Sequence, residues 1–182
     1  MSPRSIAALL LTLAGTTLPH LAQATLPVGA PAPVFTADGA VGGKPFKFDL
    51  AAALKKGPVV LYFYPKAFTQ GCTVEAHQFA EATDKFAALG TTVVGMSNDS
   101  IDTLKKFSTE ACRDKFAVLA DAGGKVIKDY DSALKMAPSL ADRVSYLIGT
   151  DGKIAAVHAA MDPDGHISTM LKAAEKLGGT RK

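Results

Sequence analysis

The sequence predicts an α/β protein, with helices packed on a central mixed β-sheet, a β-hairpin at the start and a closing hairpin and helix. Three observations predict it. "VVLYFYP", opened by Pro58 and stopped by Pro65, and "TTVVGMS" are unbroken apolar runs rich in β-branched and aromatic residues, as suits strands buried on both faces. Between them Phe79, Ala82, Phe86 and Leu89 recur at helical spacing, and Gly90 ends the repeat. Near the end, Asp151-Gly152 joins two strand-like segments in "RVSYLIGTDGKIAAVHAA", a strong hairpin signal.

The elements follow in order. Thr25 to Pro33 is Pro- and Ala-rich and reads as an extended arm. "VFTAD" and "KPFKFDL", separated by turn residues Gly39, Gly42 and Gly43, suggest a hairpin. The strand Pro58–Pro65 leads into a helix from about Gly71 to Leu89, and "TTVVGMS" is the next strand. Asp99 or Ser100 can cap a following helix whose inward face carries Ile101, Leu104, Phe107 and Ala111. "FAVLAD" is a third buried strand, followed by a turn at Gly123-Gly124 and a short helix around Val126 to Tyr130. After the Asp151-Gly152 hairpin, Ile167 to Leu177 forms a final amphipathic helix. Alternation of this kind folds as layers around one sheet.

The first 24 residues are expected to stand apart from the fold. Arg4 precedes a 13-residue apolar stretch, Ile6 to Leu18, shorter than the roughly 20 residues a spanning helix needs. "LAQAT" then offers a small-x-small site, which reads as a secretory signal peptide cut after Ala24, leaving 25–182 as the mature domain. A retained N-terminal anchor is the alternative. That reading places the protein in the periplasm or outside the cell, without stable membrane association. The formal charge is +3, or +2 without Arg4, and the basic residues are scattered. No nucleic-acid partner or acidic substrate is indicated. No metal-ligand spacing and no phosphate-binding glycine loop is present, so neither a metal nor a cofactor is expected.

The chain has two cysteines, Cys72 and Cys112. In an oxidising compartment the plain reading of such a pair is a structural disulfide. The surroundings of Cys72 suggest more. It follows a strand, a proline-marked turn and Gly71, which places it in the first turn of a helix. Free backbone N–H groups and the helix dipole stabilise a thiolate there. Cys72, Phe79 and Phe86 are seven residues apart, so the sulfur shares the inward face. A sheltered thiolate is a nucleophile for a small electrophile.

Pro65, Thr69 and Cys72 stand as P-x-x-x-T-x-x-C, the pattern of peroxiredoxins, and "FYPKAFTQGCTVEA" most resembles the peroxiredoxin Q (bacterioferritin comigratory protein) subfamily. The likeness covers essentially the whole mature chain. Gln70 departs from it, since the subfamily often has proline there. The resemblance implies a thioredoxin-like fold and a thioredoxin-dependent thiol peroxidase acting on hydrogen peroxide and small organic hydroperoxides, usually as a monomer. Carried over, Cys72 is the peroxidatic cysteine, which attacks a peroxide oxygen and becomes a sulfenic acid. Thr69 would offer its hydroxyl to the peroxide, and the turn at Gly71 its N–H groups. Arg143 would stabilise thiolate and departing oxygen, Pro65 would shield the sulfur, and Glu75 would hold the arginine. Each has a plainer reading: Thr69 as a helix cap, Pro65 as a strand end, Arg143 and Glu75 as surface residues.

Many members of that subfamily have a second cysteine five residues after the first; here that position is His77. Others carry the resolving cysteine in the next helix, and Cys112, 40 positions after Cys72, is expected there. The resemblance implies a Cys72–Cys112 disulfide reduced by a thioredoxin-like or other thiol donor. An inert core cysteine and a permanent structural bridge remain alternatives for Cys112, and with an inert Cys112 an external thiol would resolve Cys72. Other functions compete as well. A thioredoxin-type oxidoreductase normally needs C-x-x-C, but Glu75 stands at the third position after Cys72. A cysteine hydrolase would need His77, His158 or His166 as base, and none has a hydrolase context. A redox-sensing module would use the same thiol without turnover.

Overall fold

The computed structural model describes residues 25–179; the expected signal peptide lies outside the described residues. A seven-stranded sheet has the order β2-β1-β5-β4-β3-β8-β9. Its strands are β1 (Thr36–Val41), β2 (Lys44–Asp49), β3 (Val59–Phe63), β4 (Thr92–Ser97), β5 (Ala117–Ala120), β8 (Val144–Ile148) and β9 (Ile154–Ala159). A separate two-stranded ribbon pairs β6 (Ala133–Leu134) with β7 (Ala137–Ala141). The helices are α1 (Leu50–Leu54), α2 (Gln70–Ala88), α3 (Ile101–Glu110), α4 (Lys125–Asp129) and α5 (His166–Gly179). No helix among the described residues is long and apolar enough to cross a membrane.

The sheet is mixed, as expected. β3, β4 and β5 are parallel, while β1 joins β5, and β8 joins β3, antiparallel. All five residues of β3 are buried because both faces are covered. Val60 and Tyr62 point into a core under α2, α3 and α5, whereas Val59, Leu61 and Phe63 point into a second core with Leu50, Ile127, Tyr130 and Tyr146. Tyr62 stacks on Phe79 of α2 with ring centroids 4.3 Å apart, which fixes that helix over the middle of the sheet.

Sequence and structure part at three places. Gly39 lies inside β1 rather than in the turn; a Cβ there would stand 2.6 Å from Leu119 Cδ2, so the position needs glycine for close packing. The turn itself is Gly42-Gly43, both at positive φ (54° and 72°), as a tight hairpin requires. The Ala-rich stretch after Asp49 forms the short helix α1, which Asp49 caps by accepting from Ala52 N–H at 3.0 Å. The β6–β7 ribbon was not foreseen either, since its two-residue strand carries no readable period.

Candidate active site

The segment between β3 and α2 prepares the site. Tyr64 N–H still donates to Met96 C=O at 3.1 Å, and half-buried Pro65 ends the pairing. Asp99 then pins the loop, its Oδ2 accepting from Ala67 N–H and Ser97 Oγ, both at 2.8 Å. Phe68 follows at φ 65°, a left-handed conformation costing roughly 1–2 kcal/mol in a non-glycine residue. Its ring is held edge-on to Phe107 of α3 at 5.2 Å. The turn sends the chain into α2 at Gln70, and Cys72 falls in the first helical turn as expected.

Thr69 occupies the cap position of α2, yet its side chain makes no capping bond. Its hydroxyl donates instead to Lys66 C=O at 3.0 Å. The exposed Thr69 oxygen therefore keeps its lone pairs as acceptors, a different role from a donor to bound substrate.

Cys72 is 1% exposed, and its sulfur accepts from Arg143 Nη2 at 3.4 Å. Arg143 stands immediately before β8, itself 3% exposed, so it is not the surface residue that a strand start would suggest. Its guanidinium is fixed on three sides: Nη2 to Cys72, Nη1 to Glu75 Oε2, and Nε to Met161 C=O at 2.9 Å. Gly71 has a definite part in this. A Cβ there would lie 3.1 Å from Arg143 Nη2, tighter than side chains ordinarily pack, so the missing Cβ lets the guanidinium reach the sulfur.

Glu75 is fully buried, one turn after Cys72. Burial pushes its carboxyl up to about 8, against the opposing pull of Arg143. Its second oxygen, Oε1, has no hydrogen-bond partner among the described residues and stands 3.7 Å from Nδ1 of His166. His166, the first residue of α5, is also fully buried; burial pulls its imidazole down to about 4. Its ring nitrogens meet Ser145 Oγ at 2.8 Å and Ala160 C=O at 3.0 Å. His158, paired across the strands with Ser145, stands edge-on to it at 4.5 Å.

Cys112 lies in the same hydrophobic core as Cys72 but on a different segment. α3 ends at Glu110 with Ala111 as its cap, so Cys112 is just beyond the helix and not within it. The chain leaves α3 because Arg113 and Asp114 both take left-handed backbone angles (φ 51° and 60°), and Cys112 N–H reaches back to Phe107 C=O at 3.1 Å. Cys112 is fully buried in the same core as Phe107 and Phe116, and both thiols are free. Burial first, and Asp114 second, push its thiol well up. α2 and α3 each follow a strand of the parallel set, so they start at the same end of the sheet. Cys72 and Cys112 share one hydrophobic core, and both act electrostatically on the buried phenols of Tyr62 and Tyr64 in it.

The sequence matches the AhpC/TSA family over residues 28–157, most of the chain. The chain belongs to this family. Among relatives, it is 30% identical over 180 residues to putative peroxiredoxin Q, chloroplastic, of Oryza sativa subsp. indica, covering 91% of this chain and 81% of that protein. Peroxiredoxin Q, chloroplastic, of Sedum lineare is 35% identical over 124 residues, 68% of this chain and 66% of the relative. Among solved structures, peroxidoxin BcpB of Mycobacterium tuberculosis superposes with a TM-score of 0.71 at 30% identity, covering 82% of this chain and 97% of the other. The resemblance to peroxiredoxin Q is therefore met, and the mixed sheet with flanking helices is the thioredoxin-like fold of these proteins. Peroxiredoxins are thiol peroxidases, and that is the enzyme class of this chain.

Within this peroxiredoxin, folding brings Cys72, Gly71, Glu75 and Arg143 into contact and leaves Thr69 and Pro65 in the loop that delivers Cys72. Cys112 shares the core with Cys72 but is not bonded to it. The group on Cys72 Sγ is Arg143 rather than a histidine, which disfavours the hydrolase alternative. Sequence reasoning missed the loop anchor Asp99, read only as a possible cap, and the carbonyl of Met161. It weighed His166 only as a hydrolase base. A buried histidine at a helix start has no local signature, because its burial comes from the packing of α5 on the sheet.

Proposed function

We propose that the protein reduces hydrogen peroxide and small organic hydroperoxides with Cys72 as the attacking thiolate. The contact between Arg143 Nη2 and Cys72 Sγ at 3.4 Å, inside a buried site at a helix start, is the observation that carries this reading. A guanidinium donor is better accepted by a thiolate than by a thiol. The thiolate attacks one peroxide oxygen, the O–O bond breaks, and the sulfur becomes a sulfenic acid. The other oxygen leaves as hydroxide or alkoxide and takes a proton, giving water or an alcohol. Arg143 stands where it favours both the starting thiolate and the charge passing to the leaving oxygen. Thr69 serves as an acceptor for the peroxide O–H, and Pro65 closes one side. Cys72→Ser should abolish peroxide consumption; a mutant that still consumes peroxide overturns the assignment.

We further propose that Cys112 resolves the sulfenic acid as a Cys72–Cys112 disulfide, which a thioredoxin-like donor then reduces, with water released on condensation. Support comes from its being the other thiol of the chain and from the left-handed pair Arg113–Asp114, which already breaks α3 beside it. Its complete burial favours a second reading, in which an external thiol reduces Cys72 directly. Mass spectrometry after one equivalent of peroxide separates the two. A bridged chain supports resolution by Cys112. A stable sulfenic acid, with Cys112→Ser turning over at the wild-type rate, supports the external thiol. The leader-like N-terminal sequence supports a periplasmic or secreted enzyme, and the resemblance to peroxiredoxin Q supports a monomer; fractionation and gel filtration of the expressed protein test the two.

A further inference from the structure

The loop that delivers Cys72 is held at its middle by a residue of another element. Ala67 donates its N–H to Asp99 Oδ2 at 2.8 Å, and the same oxygen accepts from Ser97 Oγ at 2.8 Å. An aspartate just before a helix ordinarily serves as its cap. Here Ser100 already caps α3, accepting from Thr103 N–H at 3.3 Å, so the Asp99 side chain is left to the loop. Its mount is braced. Ser97 C=O accepts from Asp121 N–H at 2.9 Å, while Asn98 accepts from Gly123 N–H at 3.0 Å and donates to Ser139 C=O at 2.8 Å. The end of β4 is thereby tied to the turn before α4 and to β7, and Asp99 extends from a fixed support.

The next residue shows what the anchor does. Phe68 stands at φ 65° with 46% of its surface exposed, so its burial does little to offset the left-handed backbone. Such an angle persists where its neighbours over-determine it. Asp99 on Ala67 N–H is one such restraint, and the edge-on contact of the Phe68 ring with Phe107 at 5.2 Å is another. Released from Asp99, Phe68 would relax toward an ordinary negative φ. That rotation would carry Thr69, the following residue, out of its place. Ala67 is also the midpoint between Pro65 and Thr69, the two loop residues assigned to the peroxide.

We propose that Asp99 is a positioning residue for peroxide reduction: by holding Ala67 it keeps Phe68 left-handed and sets Pro65 and Thr69 around Cys72, without touching substrate itself. The ionisation of Cys72 is governed separately. Arg143 is fastened to Glu75 and to Met161 C=O, and neither belongs to the loop. Asp99 thus controls how the peroxide is presented, and Arg143 the state of the sulfur. The proposal rests on Cys72, Thr69 and Pro65 serving the peroxide.

Stopped-flow rates with hydrogen peroxide and a thiolate titration by ultraviolet absorbance, both on the full chain, test this. Asp99→Ala should lower the second-order rate by about 10- to 100-fold, the cost of a misplacement on the order of 1 Å. Its Cys72 titration should coincide with that of the wild type. Asp99→Asn, whose amide oxygen can accept from both Ala67 and Ser97, should recover most of the rate. A wild-type rate in Asp99→Ala with only a lowered melting temperature makes the anchor structural and overturns the proposal. A loss that a shifted Cys72 titration accounts for overturns it too, as does an Asp99→Asn rate no better than that of Asp99→Ala. Peroxide consumption by Cys72→Ser would instead overturn the assignment of Cys72, so the two failures are told apart. Should Asp99→Ala not fold, Asp99→Ser, too short to reach both donors, is read by the same outcomes.

Discussion

Cys72 and Cys112 are equally shut off from solvent, at 1% and 0% exposure, and share one hydrophobic core, and yet their polar neighbours differ. Cys72 opens a 19-residue helix and touches a guanidinium that is itself anchored by Glu75 and by Met161 C=O. Cys112 follows the end of a helix, packs among Phe107, Ala111 and Phe116, and has Asp114 as its charged neighbour. Burial alone disfavours a thiolate. Of the two, only Cys72 has a cation within hydrogen-bond distance of its sulfur and a place at a helix start. The two thiols are thus distinguished by what touches them, not by how deeply they lie.

The contrast can be broken at several points, beginning with the largest effect. In folded protein a small alkylating reagent should modify Cys72 about a hundredfold or more faster than Cys112, read by peptide mass spectrometry. Equal rates would mean that Arg143 does not distinguish the two sulfurs. Arg143→Lys should slow peroxide reduction by about a hundredfold, because an ammonium cannot hold Glu75, Met161 C=O and Cys72 at once. A loss under threefold in stopped-flow assays would remove the arginine from the argument.

Glu75 offers a test of the site's cost to the fold. Its carboxyl lies above its ordinary value, so the stability from burying the neutral acid is present at low pH and is lost as pH rises through about 8. Compared with Glu75→Gln, which cannot titrate, the wild type should lose about 2 kcal/mol between roughly pH 6 and 8 in denaturant titrations. Parallel pH curves for the two proteins would place Glu75 outside this linkage. Gly71→Ala should then lower the peroxide rate about three- to tenfold with little change in melting temperature, since the added Cβ shifts the guanidinium and nothing else nearby. The smallest effect belongs to the Cys112 side. Asp114→Gly relieves a left-handed backbone and should stabilise the fold by about 0.5–1 kcal/mol, leaving the rate of the first peroxide step unchanged.

Much of this molecule is legible in the chain. Residues 59–63 and 92–97 announce buried strands by composition, and Phe79, Ala82 and Phe86 announce the face of α2 by spacing. Those signals are local, so neighbouring residues suffice to read them. The placement of Cys72 at a helix start is local in the same sense. Thr69 shows where local reading stops: its position as a cap is right, but its hydroxyl turns back to Lys66 C=O because Phe68 takes a left-handed angle just before it. Cys112 shows the same limit, since its spacing with Leu104 and Ala111 continues a helical pattern that the backbone at Arg113 and Asp114 has already abandoned.

The sequence by itself therefore determined the α/β alternation, the place of Cys72 in the first turn of α2 and, through family resemblance, the arginine to look for beside it. Tertiary structure alone decided that Arg143 is buried, that Gly71 makes room for it, and that Glu75 meets His166 across 91 positions of chain. The physical reason is range. Helical and strand periods come from adjacent residues, whereas the charge state of a buried carboxyl depends on which side chains the finished packing brings against it and how completely it removes water.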